Sequence, residues 1–134
     1  MKEKFIGKWV LLPEQSTYEQ GGPPQKATYS FEEGANGALH IAVEWIDEKD
    51  KENRVHYTLW PDGQKRKYEN PEIADEVMSE FKGVNQLNSY TYKASKTKTF
   101  ASRIIDENGK MEVIQRFFHP NGQSFETIQY YKKQ

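Results

Sequence analysis

At 134 residues the chain is long enough for one domain around one core, spanning 1–134. Its 19 Lys and Arg against 20 Asp and Glu leave a net charge of -1, which offers no field for gathering phosphate backbones and argues against a nucleic-acid binder. The absence of cysteine removes disulfides, thiolate nucleophiles and cysteine-based metal sites, and no run approaches the ~20 apolar residues of a membrane helix.

The first residues, Met1-Lys2-Glu3-Lys4-Phe5, carry no apolar leader, so a cytoplasmic location is the simplest expectation; a secretory chain already trimmed of its leader would read the same. Strands are expected near 4–12, 25–33, 38–47, 53–60, 64–69, 75–82, 86–94, 96–106, 110–118 and 123–132. Asn36-Gly37, Asp62-Gly63, Asn108-Gly109 and Asn121-Gly122 lie between alternating segments and mark hairpins. The turn around Ala35-Asn36-Gly37 sets Tyr29 opposite Val43, Phe31 opposite Ile41 and Ala27 opposite Trp45. Their apolar side chains then share one face, which a one-residue slip would invert.

The next hairpin, at Pro61-Asp62-Gly63, is ambiguous. A three-residue loop sets Lys65 and Lys67 beside Leu59 and Tyr57, whereas a two-residue loop brings Arg66 and Tyr68 inside. The segment from Asn70 to Gly83 is ambiguous too. Asn70-Pro71 followed by acids and a closing Gly spells a helix, and Ile73, Val77 and Phe81 keep helical spacing. Val77, Ser79 and Phe81 equally alternate as a strand would.

The C-terminal turns are more explicit. His119-Pro120-Asn121-Gly122-Gln123 suits a type I turn with a left-handed Gly, pairing Phe117 with Phe125, Gln115 with Thr127, Val113 with Gln129 and Met111 with Tyr131. Arg116 and Glu126 pair on the other face. The same loop at Glu107-Asn108-Gly109 pairs Ile105 with Met111, Arg103 with Val113 and Ala101 with Gln115. Closing these strands into an antiparallel up-and-down barrel of about eight to ten strands would remove the long edges, with a two-layer sandwich as the alternative.

The opening Phe5-Ile6-Gly7-Lys8-Trp9-Val10-Leu11 resembles the Gly-x-Trp first strand of the calycin superfamily, the lipocalins and fatty-acid-binding proteins. The string Gly7 to Ser16, Gly22-Pro23-Pro24, Asp62-Gly63, Asn70-Pro71 with Asp75, and Tyr130-Tyr131-Lys132-Lys133-Gln134 resemble small bacterial lipocalin-like domains. The resemblance implies a lipocalin-like barrel, a strand from Asp75 onward, and Trp9 plugging one end under a basic side chain. Lys133 takes that place, where the family tends to have arginine; Gly7, Trp9 and Lys133 are therefore expected as structural residues. Fatty-acid-binding proteins also carry Arg-x-Tyr on the last strand to hold a carboxylate; the matching residues are Gln129 and Tyr131, without the charge. The stretch from Pro13 to Pro24 is too short for those proteins' two-helix lid and reads as a loop at the mouth.

With Trp9 and Tyr131 inward, Arg103, Val113 and Gln129 share one rung, Arg103 and Gln129 standing roughly 10 Å apart at ~4.8 Å per strand. Such a row suits a polar ligand head, while Tyr29, Trp45 and Tyr57 line an apolar body beside Gln115, Phe117 and Tyr131. An internal hydrogen-bond network satisfying a buried arginine explains Arg103 equally. His40 and His56 fall on the outer face and His119 in a turn, so no metal site and no cofactor are expected. No nucleophile-base pair, Gly-x-Ser-x-Gly or phosphate loop occurs, and Asp75 reads as a turn residue. The expectation is non-catalytic binding of a small apolar or amphipathic molecule, as carrier or sensor. Phe100, Ile104, Ile114, Phe118, Ile128 and Tyr130 make the outer face unusually apolar, which suits either a module that self-associates as a homodimer or an exchange of the inner and outer faces. An isomerase- or cyclase-like barrel using Arg103 and Tyr131 against developing charge is the enzymatic alternative.

Overall fold

The computed structural model describes residues 2–19 and 24–134. Most of them form one curled antiparallel sheet. Its strands are β1 (Gly7–Leu11), β2 (Thr17–Tyr18), β3 (Lys26–Glu33), β4 (Leu39–Ile46), β5 (Glu52–Leu59), β6 (Arg66–Lys67), β7 (Glu76–Lys82), β8 (Gln86–Lys93), β9 (Lys96–Ile105), β10 (Lys110–Phe118) and β11 (Ser124–Lys133). The order is β5-β4-β3-β1-β11-β10-β9-β8-β7-β6, with β2 added on β11. First and last strands therefore pair, through Trp9 opposite Lys133 and Leu11 opposite Tyr131. Among the described residues no helix is long and apolar enough to cross a membrane.

Turn chemistry sets the register. His119 N donates to Gln123 O at 2.8 Å, Gly122 N donates to His119 O at 3.0 Å, and Gly122 takes φ 88°, the left-handed value that makes glycine the natural occupant. Phe117–Phe125, Gln115–Thr127, Val113–Gln129, Met111–Tyr131 and Arg116–Glu126 are opposed as expected. The expected β9–β10 and β3–β4 pairs also hold. The face carrying Trp9, Tyr29, Ile41, Val113 and Tyr131 is the inner one, each of these side chains being buried.

The ladder does not run unbroken around the barrel. β5 and β6 do not pair, so the hairpin expected at Pro61-Asp62-Gly63 is absent, and the strand expected over 64–69 shrinks to Arg66–Lys67 against Val77 and Glu76. The loop curls on itself instead. Asp62 N bonds Trp60 O at 2.7 Å, the Asp62 carboxylate takes Gln64 N at 3.0 Å and the Arg66 guanidinium, and Gly63 N reaches Ser79 O on β7 at 2.8 Å. Pro61 has no N–H to offer a ladder. Arg66 nevertheless shares the inner face with Val77, and Tyr68 is buried. Complete closure was expected to remove the edges; two remain, and side chains cover part of one. The Glu69 carboxylate accepts the Thr58 N–H, and Asn70 Nδ2 donates to His56 O at 3.3 Å.

Both signals after Asn70 are real, in succession. Ile73 N and Ala74 N bond Asn70 O at 2.9 and 3.3 Å, making one turn, after which β7 begins at Glu76. The Asp75 carboxylate accepts the Ala94 N–H at 2.8 Å and ties this turn to the β8–β9 hairpin. The chain's first strand starts at Gly7, with a 3-10 turn at Lys2–Lys4 ahead of it.

One end of the barrel is filled. Phe5, Phe31, Leu39, Leu59, Leu87 and Met111 are fully buried there around Trp9, whose Nε1 donates to Phe5 O at 2.9 Å. Lys133 Nζ lies 5.4 Å from the Trp9 ring centroid and 3.3 Å from Lys4 O, so an ammonium caps the indole without a guanidinium's stacking. Gly7 has φ 128°, and a Cβ there would lie 2.9 Å from Lys133 Cε. Gly7→Ala is therefore expected to cost about 1–3 kcal/mol, read as a lower urea midpoint at unchanged slope. Glu69→Ala should raise hydrogen exchange at Thr58 about tenfold while leaving the β3–β4 amides protected.

Candidate functional site

The opposite end holds a cavity of about 560 Å³. Its walls follow directly from strand alternation: Ala27 and Tyr29 on β3, Val43 and Trp45 on β4, Val55 and Tyr57 on β5, Ala101 on β9, Val113, Gln115 and Phe117 on β10, and Thr127, Gln129 and Tyr131 on β11. Tyr18 of β2, Pro24, Asp47 and Glu48 complete it. The expected residues Tyr29, Trp45, Tyr57, Gln115, Phe117, Gln129 and Tyr131 thus come together on one cavity. Arg103 does not line it. Of the mouth loop, Gln20 to Pro23 lies outside the described residues.

Arg103, 2% exposed, sits behind the cavity's tyrosines and reaches across the barrel. Its Nε donates to Tyr29 Oη at 2.7 Å, Nη1 to Ser89 Oγ at 3.0 Å and Nη2 to Tyr57 Oη at 3.1 Å. Tyr29 Oη and Tyr57 Oη are 2.9 Å apart, which closes the network. The expected row with Gln129 is real as a rung, yet Arg103 turns away from it. Gln129 Nε2 instead donates to Tyr18 Oη at 2.7 Å, and its carbonyl accepts Tyr131 Oη at 3.1 Å. The reason is partner supply: the barrel's curvature brings two phenols and a serine within reach of the guanidinium, which has donors only.

No carboxylate among the described residues pairs with Arg103. Burial drives the Tyr29 phenol well above its ordinary range, against the pull of the guanidinium, and burial likewise pushes Tyr131 up. Both are neutral at physiological pH, so they solvate the cation without neutralising it. For Arg103, burial opposes the charge while Tyr29 and Tyr57 oppose its loss, leaving the group above the usual arginine value. The floor of the cavity therefore holds a buried positive charge satisfied by hydroxyls alone.

Tyr18 was outside every expected strand, and nothing in Thr17-Tyr18 marks it; it enters through a two-residue pairing with Thr127 and Ile128. Val43, Val55 and Thr127 follow from alternation once the inner face is known. His40 and His56 are exposed, and the His119 ring packs 5.2 Å from that of Phe125. On the outer face Phe100, Ile104, Ile114, Ile128 and Tyr130 are only half-buried, and Phe118 is exposed. Tyr90 packs on Phe100 at 4.9 Å, and Tyr130 Oη donates to Glu112 at 2.6 Å.

A buried charge lacking a counter-ion is poor material for stability, because replacing buried ionic groups with apolar ones is often neutral or stabilising. Arg103→Met, without ligand, is expected to melt at or above the wild-type temperature. Tyr29→Phe leaves the charged Nε–H buried without its acceptor and should destabilise by about 1–3 kcal/mol. A large drop for Arg103→Met in calorimetry would show that the arginine serves the fold instead.

No family model and no curated protein matches the chain by sequence. Solved structures match along its whole length. The fluorescent protein UnaG is 16% identical, with 100% of each chain covered and a TM-score of 0.65. As-p18, an extracellular fatty acid binding protein, is 17% identical, with 98% of this chain and 97% of that chain covered and a TM-score of 0.62. A redesigned β-barrel is 10% identical, with 98% and 93% covered and a TM-score of 0.58. Strand order, alternation and these likenesses agree: the chain has the calycin fold, in its fatty-acid-binding-protein-like form.

Proposed function

We propose that the barrel binds, without transforming it, one small, partly apolar molecule, as a carrier or sensor. The observation that carries this reading is the cavity itself. Its ~560 Å³ is the size of a small-ligand site. Rings and aliphatic groups line it, with polar atoms gathered at two places: the Tyr29–Tyr57 pair over Arg103, and the Tyr18–Gln129–Tyr131 group. Trp45, Phe117, Val43 and Val55 suit the apolar body, and the Tyr29–Tyr57 pair suits a head group that accepts hydrogen bonds. The fatty acid binding of As-p18, at the same fold, lends general support to a molecule held inside the barrel. Its chemistry is not carried over, since the last strand offers Gln129 where a carboxylate would want a cation.

Native mass spectrometry of freshly purified protein is expected to show a retained small molecule, and a matching compound at a hundredfold excess over its Kd should stabilise by about 2.7 kcal/mol. Val43→Trp fills the cavity from β4 and should abolish that shift while keeping the strand spectrum. Absence of any retained mass, with no shift across a lipid and metabolite panel, would overturn the reading. The half-exposed outer face supports a second reading, self-association through β8 to β11, which a monomer in sedimentation at high concentration would remove.

A further inference from the structure

The proton inventory at the cavity floor is unbalanced. Tyr29 Oη and Tyr57 Oη each accept from Arg103, so neither Arg103 contact uses a phenol hydrogen. Their mutual contact uses one. The second phenol hydrogen has no acceptor among the described residues, and both tyrosines face the cavity while Arg103 does not. The floor thus shows a ligand one O–H donor with an uncompensated guanidinium directly behind it.

We infer that the cavity selects the ionised form of a weak acid whose negative charge rests on one oxygen, an aromatic phenol or an enol, and so acts on its ligand's ionisation as well as holding it. This rests on the binding reading above. A one-oxygen anion meets the one donor, whereas a carboxylate would leave its second oxygen without one. Flat rings suit the walls, which carry Trp45, Phe117, Tyr29 and Tyr131. The other ionisable groups facing the site do not cancel the charge. Tyr29, Tyr68 and Tyr131 are phenols kept neutral by burial, Tyr18 is shifted the same way, and Tyr57 donates or accepts within the pair. Asp47 and Glu48 lie at the rim, Asp47 four residues beyond Val43 and so roughly 13 Å further along the strand. An opposite charge within about 4–6 Å favours an acid's ionised form and lowers its pKa by roughly 1–3 units.

4-Nitrophenol tests this, because its absorbance reports ionisation, with 4-nitroanisole as a probe of the same shape that cannot ionise. The wild-type protein should bind both, and the bound phenol should ionise about one to two pH units lower than the free one, which makes the phenolate about tenfold to a hundredfold the tighter ligand. Arg103→Met should return the midpoint to the free value. Ser89→Asp, which places a carboxylate where Nη1 now meets a hydroxyl, should do the same with the arginine retained and guards against a misfolded Arg103→Met. Binding of both probes with an unshifted midpoint, or a shift that survives Ser89→Asp, overturns the inference and leaves the binding reading intact. Binding of 4-nitrobenzoate more tightly than the phenolate overturns the one-oxygen preference. Binding of neither nitrophenol nor nitroanisole overturns the selection and, together with an empty native mass spectrum, the cavity reading as well.

Discussion

A guanidinium enclosed by a sheet, with hydroxyls and no carboxylate around it, organises the interior of this barrel. Removing an ion from water costs several kcal/mol even after relaxation, and each hydrogen bond to a charged group returns about 1.5–3 kcal/mol. The bonds to Tyr29, Ser89 and Tyr57 offset that cost without creating a neutral pair. They also come from β3, β8 and β5, so Arg103 on β9 links both sides of the barrel across its middle. Below it the core is packed with rings and aliphatic groups; above it the cavity opens. The cation marks the boundary between the two and hydrogen-bonds both tyrosines that line the cavity there.

The break between β5 and β6 belongs to the same region. Tyr57 stands on β5, the strand whose outer edge no neighbour pairs, and it is held from inside by Arg103 and from the seam by the strand's contacts with Glu69 and Asn70. A side-chain latch opens at lower cost than a ladder, since it carries a few hydrogen bonds instead of a cooperative row. The wall that carries Tyr57 is therefore the least firmly closed part of the barrel, while the wall of β9, β10 and β11 is continuous.

Register was legible in the residues because it is local. Asn121-Gly122, Asn108-Gly109 and Asn36-Gly37 each dictate a loop length, and period-two alternation then assigns every side chain to a face; the cavity wall at Gln115, Phe117, Gln129 and Tyr131 follows. Pro61-Asp62-Gly63 carries the same dipeptide signal but turns toward β7, because Asp62 consumes nearby donors and Pro61 supplies none. The partners of Arg103 lie beyond such reasoning altogether. They sit on strands distant in sequence, and only the closure of β1 on β11 brings Tyr29 and Tyr57 opposite β9. Tyr18 is illegible for a related reason, since two residues bonded to β11 carry no periodicity to read.

The departure from the fatty-acid-binding-protein pattern now has a physical form. The last strand lacks the arginine that the resemblance implies at position 129, but the same rung carries one two strands away, at Arg103, with Val113 between. Two strand spacings are ~10 Å, so the positive charge of this chain stands across the floor from Gln129, behind Tyr29 and Tyr57. A cation at position 129, which lines the cavity, would present its N–H groups there directly. At position 103 it stands behind two phenols that line the cavity in its place. A charge felt but not touched favours an anion by sign and leaves geometry to a single hydroxyl, so under the proposed reading this barrel would ask for a different head from the one an Arg-x-Tyr pair suits.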